Sequence, residues 1–139
     1  MSEVRQFIIP GEPMGKGRPK FSNGHAYTPE KTRSYEDAVR YYYQAQCHYA
    51  PYQKDCALVV TIEAIFGLAA SDSMKKRQAK LCGMLNPTKR ADADNIAKII
   101  CDALNGIAYH DDAQVTTLHV VKRYGVEPCV KVWISKEDT

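Results

Sequence analysis

The segment from Asp92 to Asp112 constrains the fold more than any other. Ile96, Ile99, Ile100, Ala103, Leu104 and Ile107 recur at the three- and four-residue spacing of one helical face, over a helix expected from about Asp94 to Asn105. Asp94, Lys98, Asp102 and Asn105 fall on the opposite face. Such a helix must bury its isoleucines against a sheet or another helix and turn a polar row to solvent. Asp94 stands four residues before Lys98, the favourable order for an ion pair, and Asp92 precedes the helix, where the dipole favours a carboxylate. Asp111 and Asp112 follow the helix end, so five acids fall within the 21 residues from Asp92 to Asp112. Each has an ordinary role open to it as cap, surface pair or turn residue, but those roles taken singly leave the concentration of charge unexplained.

Asp-x-Asp with a further Asp downstream suits a hard, oxygen-seeking cation such as Mg²⁺. A calcium-binding EF-hand is excluded, because from Asp92 the loop would need Asp or Asn at Ile96, Gly at Ala97 and Glu at Ala103. Zinc is not expected either. The four histidines (25, 48, 110, 119) lack ligand spacing, and the five cysteines (47, 56, 82, 101, 129) contain no Cys-x-x-Cys and read as reduced, mostly buried thiols.

The net charge of +3 is unevenly divided. Residues 1–90 hold 14 Lys+Arg against 8 Asp+Glu, whereas residues 91–139 hold 5 against 8. Two segments concentrate the positive charge: the loop with Lys16, Arg18 and Lys20, and the stretch with Lys75, Lys76, Arg77, Lys80, Lys89 and Arg90, which leads directly into Asp92. A basic approach to an acidic cluster suits an enzyme acting on a polyanion, and these nine residues are the expected nucleic-acid contacts, the reading from charge alone being an ordinary solvated surface. The Lys16 loop is not a nucleotide-binding P-loop, because Lys16 is followed by Gly17 and not by Ser or Thr.

At 139 residues, the whole chain (1–139) is expected to form one domain. Val4–Ile9 reads as a first strand stopped by Pro10-Gly11. Thr28 as cap and Pro29 at the first position open a helix to about His48, with Tyr35, Ala38, Val39, Tyr42, Gln46 and Tyr49 at helical spacing and packing preferred over base stacking for its tyrosines. Cys56–Gly67 is apolar and β-branched, a central strand. Met74–Leu81 forms a short basic helix capped from Ser71-Asp72-Ser73. Gln114–Tyr124 and Cys129–Ile134 read as a closing hairpin around Gly125–Pro128, with Trp133 on the face opposite Val132 and Ile134. The expected class is α+β: a mixed sheet of about four to five strands with packed helices. No apolar stretch approaches the roughly 20 residues of a membrane span, and Met1–Arg5 lacks the pattern of a secretory signal, so a cytoplasmic protein is expected.

Asp92-Ala93-Asp94-Asn95-Ile96, Lys98, Asp102-Ala103-Leu104-Asn105-Gly106 and Asp111-Asp112-Ala113-Gln114-Val115, continued by Val121-Lys122-Arg123-Tyr124-Gly125, resemble the RusA-type Holliday-junction resolvases of bacteria and prophages. Upstream, Gly15-Lys16-Gly17-Arg18-Pro19 and Tyr27-Thr28-Pro29 resemble the N-terminal part of many members. The resemblance implies a homodimeric, Mg²⁺-dependent endodeoxyribonuclease that binds four-way DNA junctions and makes paired symmetric cuts in recombination and repair, associated with the nucleoid when bound. It further implies Asp92, Asp94 and Asp112 as metal-binding carboxylates, Asp111 as a lesser contributor, and Lys98 as the catalytic lysine. Arg90-Ala91 stands where many members have Lys-Pro, and Ile96 where they have Leu; neither change removes a functional group. Two other readings stay open from the residues: a branched-DNA-binding module that does not cut, and a nuclease of flaps or forks.

Overall fold

The computed structural model describes residues 4–18, 20–89 and 91–138. In chain order the elements are β1 (Arg5–Pro10), β2 (Lys20–Ser22), β3 (His25–Tyr27), α1 (Glu30–Gln46), β4 (Leu58–Phe66), α2 (Met74–Leu81), α3 (Ala93–Ala103), a single 3-10 turn (Asp112–Gln114), β5 (Val115–Tyr124) and β6 (Cys129–Lys136). Four strands form one mixed sheet in the order β1-β6-β4-β5, and β2 and β3 pair separately as a small hairpin. The class is α+β, as the sequence predicts.

The alternation of the strands decides which sheet face is covered. Phe7 and Ile9 of β1, Leu58, Val60, Ile62 and Ala64 of β4, and Val130, Val132 and Ile134 of β6 are all at most 1% exposed. Val39 and Tyr43 of α1 and Ile96, Ile99 and Ile100 of α3 belong to the same buried cluster, and α3 packs against both α1 and β5. The residues between them, among them Val59, Thr61, Glu63 and Trp133, are only half-buried on the other face. Trp133 therefore lies opposite Val132 and Ile134, opposite Gln6 on β1 and Thr61 on β4.

The strands after α3 depart from expectation. β5 and β6 are not a hairpin: β5 runs parallel to β4 (Ile62 opposite Val120), and β6 runs antiparallel between β4 and β1 (Val132 opposite Ile62 and Phe7). Residues 125–128 carry the chain past the end of β4 instead of closing a turn. The passage is tight. Gly125 donates to the Phe66 carbonyl at 2.9 Å, and a Cβ at Gly125 would stand 2.5 Å from Ile65 Cγ2. Alternation identifies strands but not their neighbours, and an all-apolar inner row on β6 is better served by a place inside the sheet than at its edge.

Smaller differences concern α1. It opens at Glu30, with Pro29 in the capping position, no side-chain cap from Thr28, and ends at Gln46. Its buried residues are Thr32, Glu36, Val39 and Tyr43, while Tyr41 is 65% exposed. Gln46 is outward of the core and bonds both the amide and the carbonyl of Ile8 (2.9 and 2.8 Å), satisfying the edge of β1. β2 and β3 begin at the last residue of the basic loop and occupy a segment to which the sequence pattern assigns no element. All five cysteines are free; Cys47 and Cys101 are buried, Cys56 and Cys129 half-buried and Cys82 exposed.

Since Ile99 is fully enclosed, Ile99→Ala is expected to lower the unfolding free energy by about 2–5 kcal/mol. Urea unfolding followed by circular dichroism measures it.

Candidate metal and nucleic-acid site

The site begins at the N-terminus of α3. Ala91 holds a left-handed backbone (φ 58°), an arrangement costing an alanine about 1–2 kcal/mol, and it turns the chain into Asp92. Asp92 occupies the capping position of α3, but its side chain makes no capping hydrogen bond. The carboxylate is thus not consumed by the role that local structure offers it. Asp94 in the first turn is also exposed.

From there the polar row of α3 faces outward, set by the buried isoleucines. Asp94, Ala97, Lys98, Cys101, Asp112, Val115 and Leu118 line one cavity of about 310 Å³ between α3 and β5. Lys98 has a side chain 61% exposed and lies 3.9 Å from Asp102. Asp112 is brought back to α3 by a tightly bonded loop. Its amide donates to Asn105 Oδ1 at 2.7 Å, and Gln114 accepts from the amides of His110 and Asp111 while donating to the carbonyls of Gln53 and Cys56. Tyr109 is buried beneath and donates to the Cys101 carbonyl at 2.6 Å.

Like charges are crowded at this end. Burial, then hydrogen bonds with Asp102 and Asp111 and their negative charges, push the Asp112 carboxyl above the usual carboxylate range. Burial pushes the Cys101 thiol up to about 11, with Asp112 and Asp102 adding to the effect. Asp102, which the motif reading left without a role of its own, is therefore part of the cluster. The signal available for it was its place one helical turn after Lys98.

Asp94 and Asp102 are eight residues apart, about 12 Å along the helix axis. Asp112 meets the Asp102 end, and Asp94 reaches the cavity from the other. Among the described residues no three acidic, His or Cys side chains converge closely enough to enclose a metal ion. The donor chemistry nevertheless suits a hard divalent cation: carboxylate oxygens of Asp94 and Asp112 lining an open cavity.

The basic residues separate into two groups. Lys75 and Lys89 are exposed, as are Arg18 and Lys20, the latter on β2. Arg90 lies outside the described residues. Lys76 reaches to 3.7 Å from Asp72, and the half-buried Arg77 donates to the Ala69 carbonyl. Lys80 is buried, bonded to Asp72 at 2.6 Å and set 4.6 Å over the Tyr124 ring. Its hydrogen bond holds the Asp72 carboxyl below the usual range. Lys16 points inward, 2.6 Å from Glu36 of α1 and 3.3 Å from Asp102 of α3. Burial lowers its proton affinity, but the hydrogen bonds and charges of those two acids outweigh burial and raise it overall. The flanking glycines permit this approach. A Cβ at Gly15 would come within 3.1 Å of Asn95 Cβ, and the Lys16 amide donates to the Asn95 carbonyl at 3.0 Å.

Residues 10–135 match the family model described as Endodeoxyribonuclease RusA. The chain belongs to the RusA endodeoxyribonuclease family. The match spans every element from α1 to β5 and all the acids of the cluster. The chain is also 34% identical over 133 residues, 93% of its own length and 94% of the relative's, to an uncharacterized protein, YqaN, of Bacillus subtilis (strain 168). No described helix is long and apolar enough to cross a membrane. Within this RusA-family chain the polar face of α3 and the head of β5 carry the acidic motif residues.

Two outcomes follow from the geometry. Because the folded state raises the affinity of Asp112 for its proton, ionising it disfavours folding, and stability declines as pH rises through and above the ordinary carboxylate value. In chelator, Asp112→Asn should therefore melt above the parent at pH 7, with the difference shrinking as pH falls toward that value; thermal melts across pH measure it. Lys16→Met strands Glu36 and Asp102 and should cost about 1–3 kcal/mol, whereas Lys75→Met at an exposed position should stay within about 0.5 kcal/mol, both read by urea unfolding.

Proposed function

We propose that the protein is a Mg²⁺-dependent endodeoxyribonuclease, a single catalytic domain that binds four-way (Holliday) DNA junctions and resolves them by paired symmetric cleavage in recombination and repair. The observation that carries the reading is the carboxylate-lined cavity shared by Asp94, Lys98 and Asp112 in a chain of the RusA family. Asp92, Asp94 and Asp112 would hold the metal, with Asp111 contributing. A bound divalent cation supplies Lewis-acid polarisation of the scissile phosphate and lowers the pKa of a water. The rest of the work is the chain's own. Lys98 extends an ammonium into solvent beside the cavity and stabilises negative charge developing on the phosphate. Lys16, tied to Glu36, offsets the charge of Asp102, and Asn105 and Gln114 fix the backbone leading into Asp112 by accepting from the amides of Asp112 and Asp111. Exposed Lys75, Lys89, Arg18 and Lys20, with Lys76, Arg77 and Arg90, meet DNA phosphates.

A homodimer is part of the proposal, because two cuts related by symmetry require two sites related by the same operator. So is action on DNA in the bacterial cytoplasm, at the nucleoid. One competing reading has an observation in its favour: the separation of Asp94 from the Asp102–Asp112 end suits a module that binds branched DNA without cutting.

A synthetic four-way junction with purified protein, in Mg²⁺ and in EDTA, separates the two. Cleavage in Mg²⁺ alone, at symmetric positions, is expected. Asp92→Asn should lose at least about a hundredfold in rate, the size of effect seen when one charge-stabilising group is removed, while junction affinity in a gel-shift assay is retained. Binding without any Mg²⁺-dependent product from junctions, flaps or forks would establish the non-cutting module instead.

A further inference from the structure

A second cavity, of about 520 Å³, opens beyond the N-terminus of α3. Its walls include Pro13, Phe66, Pro87 and Tyr124, and Lys89 and Ala91 lie on its side nearest the acids. Two features tie it to the acidic site. Ala91 immediately precedes Asp92, and Tyr124 lies on the same face of β5 as Leu118, which lines the acidic cavity; six residues of strand separate them, about 20 Å.

Two lysines, Lys80 and Lys89, and one acid, Glu12, are among the lining residues. Lys80 forms part of the wall, its ammonium over the Tyr124 ring and bonded to Asp72. That buried pair anchors α2, from which Arg77 donates to the carbonyl of the lining residue Ala69, and Lys89 is exposed at the wall. The one acid of the lining, Glu12, already accepts from the Gly67 amide through Oε1. Pro13 and Pro87 are both buried, so the walls are stiff. A preformed space with the aromatic rings of Phe66 and Tyr124 in its wall and an exposed lysine, Lys89, beside them fits an aromatic heterocycle carrying a phosphate.

Building on the nuclease reading, we infer that this cavity receives a single unpaired nucleotide of the bound DNA, turned out of the stack next to the strand that enters the acidic site. A branch point supplies such a nucleotide more readily than a duplex, because its bases at the crossover are less fully stacked and the energy of extrusion is smaller. The cavity thereby contributes to the preference for branched over linear DNA and sets which phosphate lies at Asp92 and Asp94.

The test uses the non-cutting Asp92→Asn protein and four-way junctions carrying 2-aminopurine at successive positions around the crossover. A several-fold fluorescence rise at one position is expected on binding, with that base shielded from acrylamide. Adding Ala69→Trp, which fills the cavity from an exposed lining position without altering the backbone bonds of the loop, should abolish both the rise and the shielding, while the melting temperature is unchanged. Tight junction binding with no position-specific rise, or a rise that remains freely quenched or survives Ala69→Trp, would overturn the cavity assignment and leave the nuclease reading standing. Failure to bind junctions at all would remove both.

Discussion

Burial of the isoleucine face of α3 is the interaction on which the rest depends. Ile96, Ile99 and Ile100, with Ala103 and Leu104 behind them, are sealed against the sheet and α1 at 0% exposure. Each enclosed isoleucine contributes about 1.5–3 kcal/mol of transfer free energy. Their larger effect is orientational. Successive residues on a helix are turned by about 100°, so a packing error of one residue would swing Asp94, Lys98 and Asp102 away from β5 and out of register with Asp112. The apolar face fixes the rotation, and the polar face inherits it.

That polar face is electrostatically unfavourable by itself. Asp112 is half-buried beside Asp102 and Asp111, and burial together with those acids makes its charge harder to carry than that of an ordinary carboxylate in the absence of a cation. The fold brings in one counter-charge from a distance: Lys16, held from a loop that leans on α3 through Asn95 and on α1 through Glu36 and Thr32. A glycine-rich basic loop, which composition assigns to phosphate contact, is in this fold an internal brace between two helices. The same inversion occurs at Lys80, which reads as part of a basic track and is an anchor for α2 against Tyr124.

These cases show which part of the structure was legible in the residues. Periodicity located α1 and α3 because burial on one face leaves a repeating pattern, cap residues bounded α2, runs of apolar and β-branched residues marked the longer strands, and the acidic motif was visible because the ordinary roles open to five carboxylates leave their concentration in one short segment unexplained. The small β2–β3 hairpin left no pattern, since all six of its residues are exposed. Partners in space were not legible either. Whether Lys16 or Lys80 turns outward or inward depends on Glu36, Asp102 and Asp72, none of which its own segment identifies for it. The pairing of β6 with β1 and β4, and not with β5, depends on a strand at the other end of the chain.

The same pairing explains why the basic and acidic residues sit where they do. β4 and β5 are parallel, so the chain between them, residues 67–114, must cross over the sheet. The crossover leaves β4 at Phe66, which lies opposite Tyr124, and rejoins at Val115, near the start of β4. Its basic first half is therefore held at the Tyr124 end of β5, α3 runs from there antiparallel to the strand with Asp92 and Asp94 at its start, and Asp102, Asp111 and Asp112 lie toward the Val115 end. Had β5 and β6 formed the hairpin suggested by their short connection, β6 would occupy the free edge of β5 and β1 would lose the strand that joins it to β4. The division of charge along the sequence thus becomes a gradient along one strand, and the topology of the sheet converts one into the other.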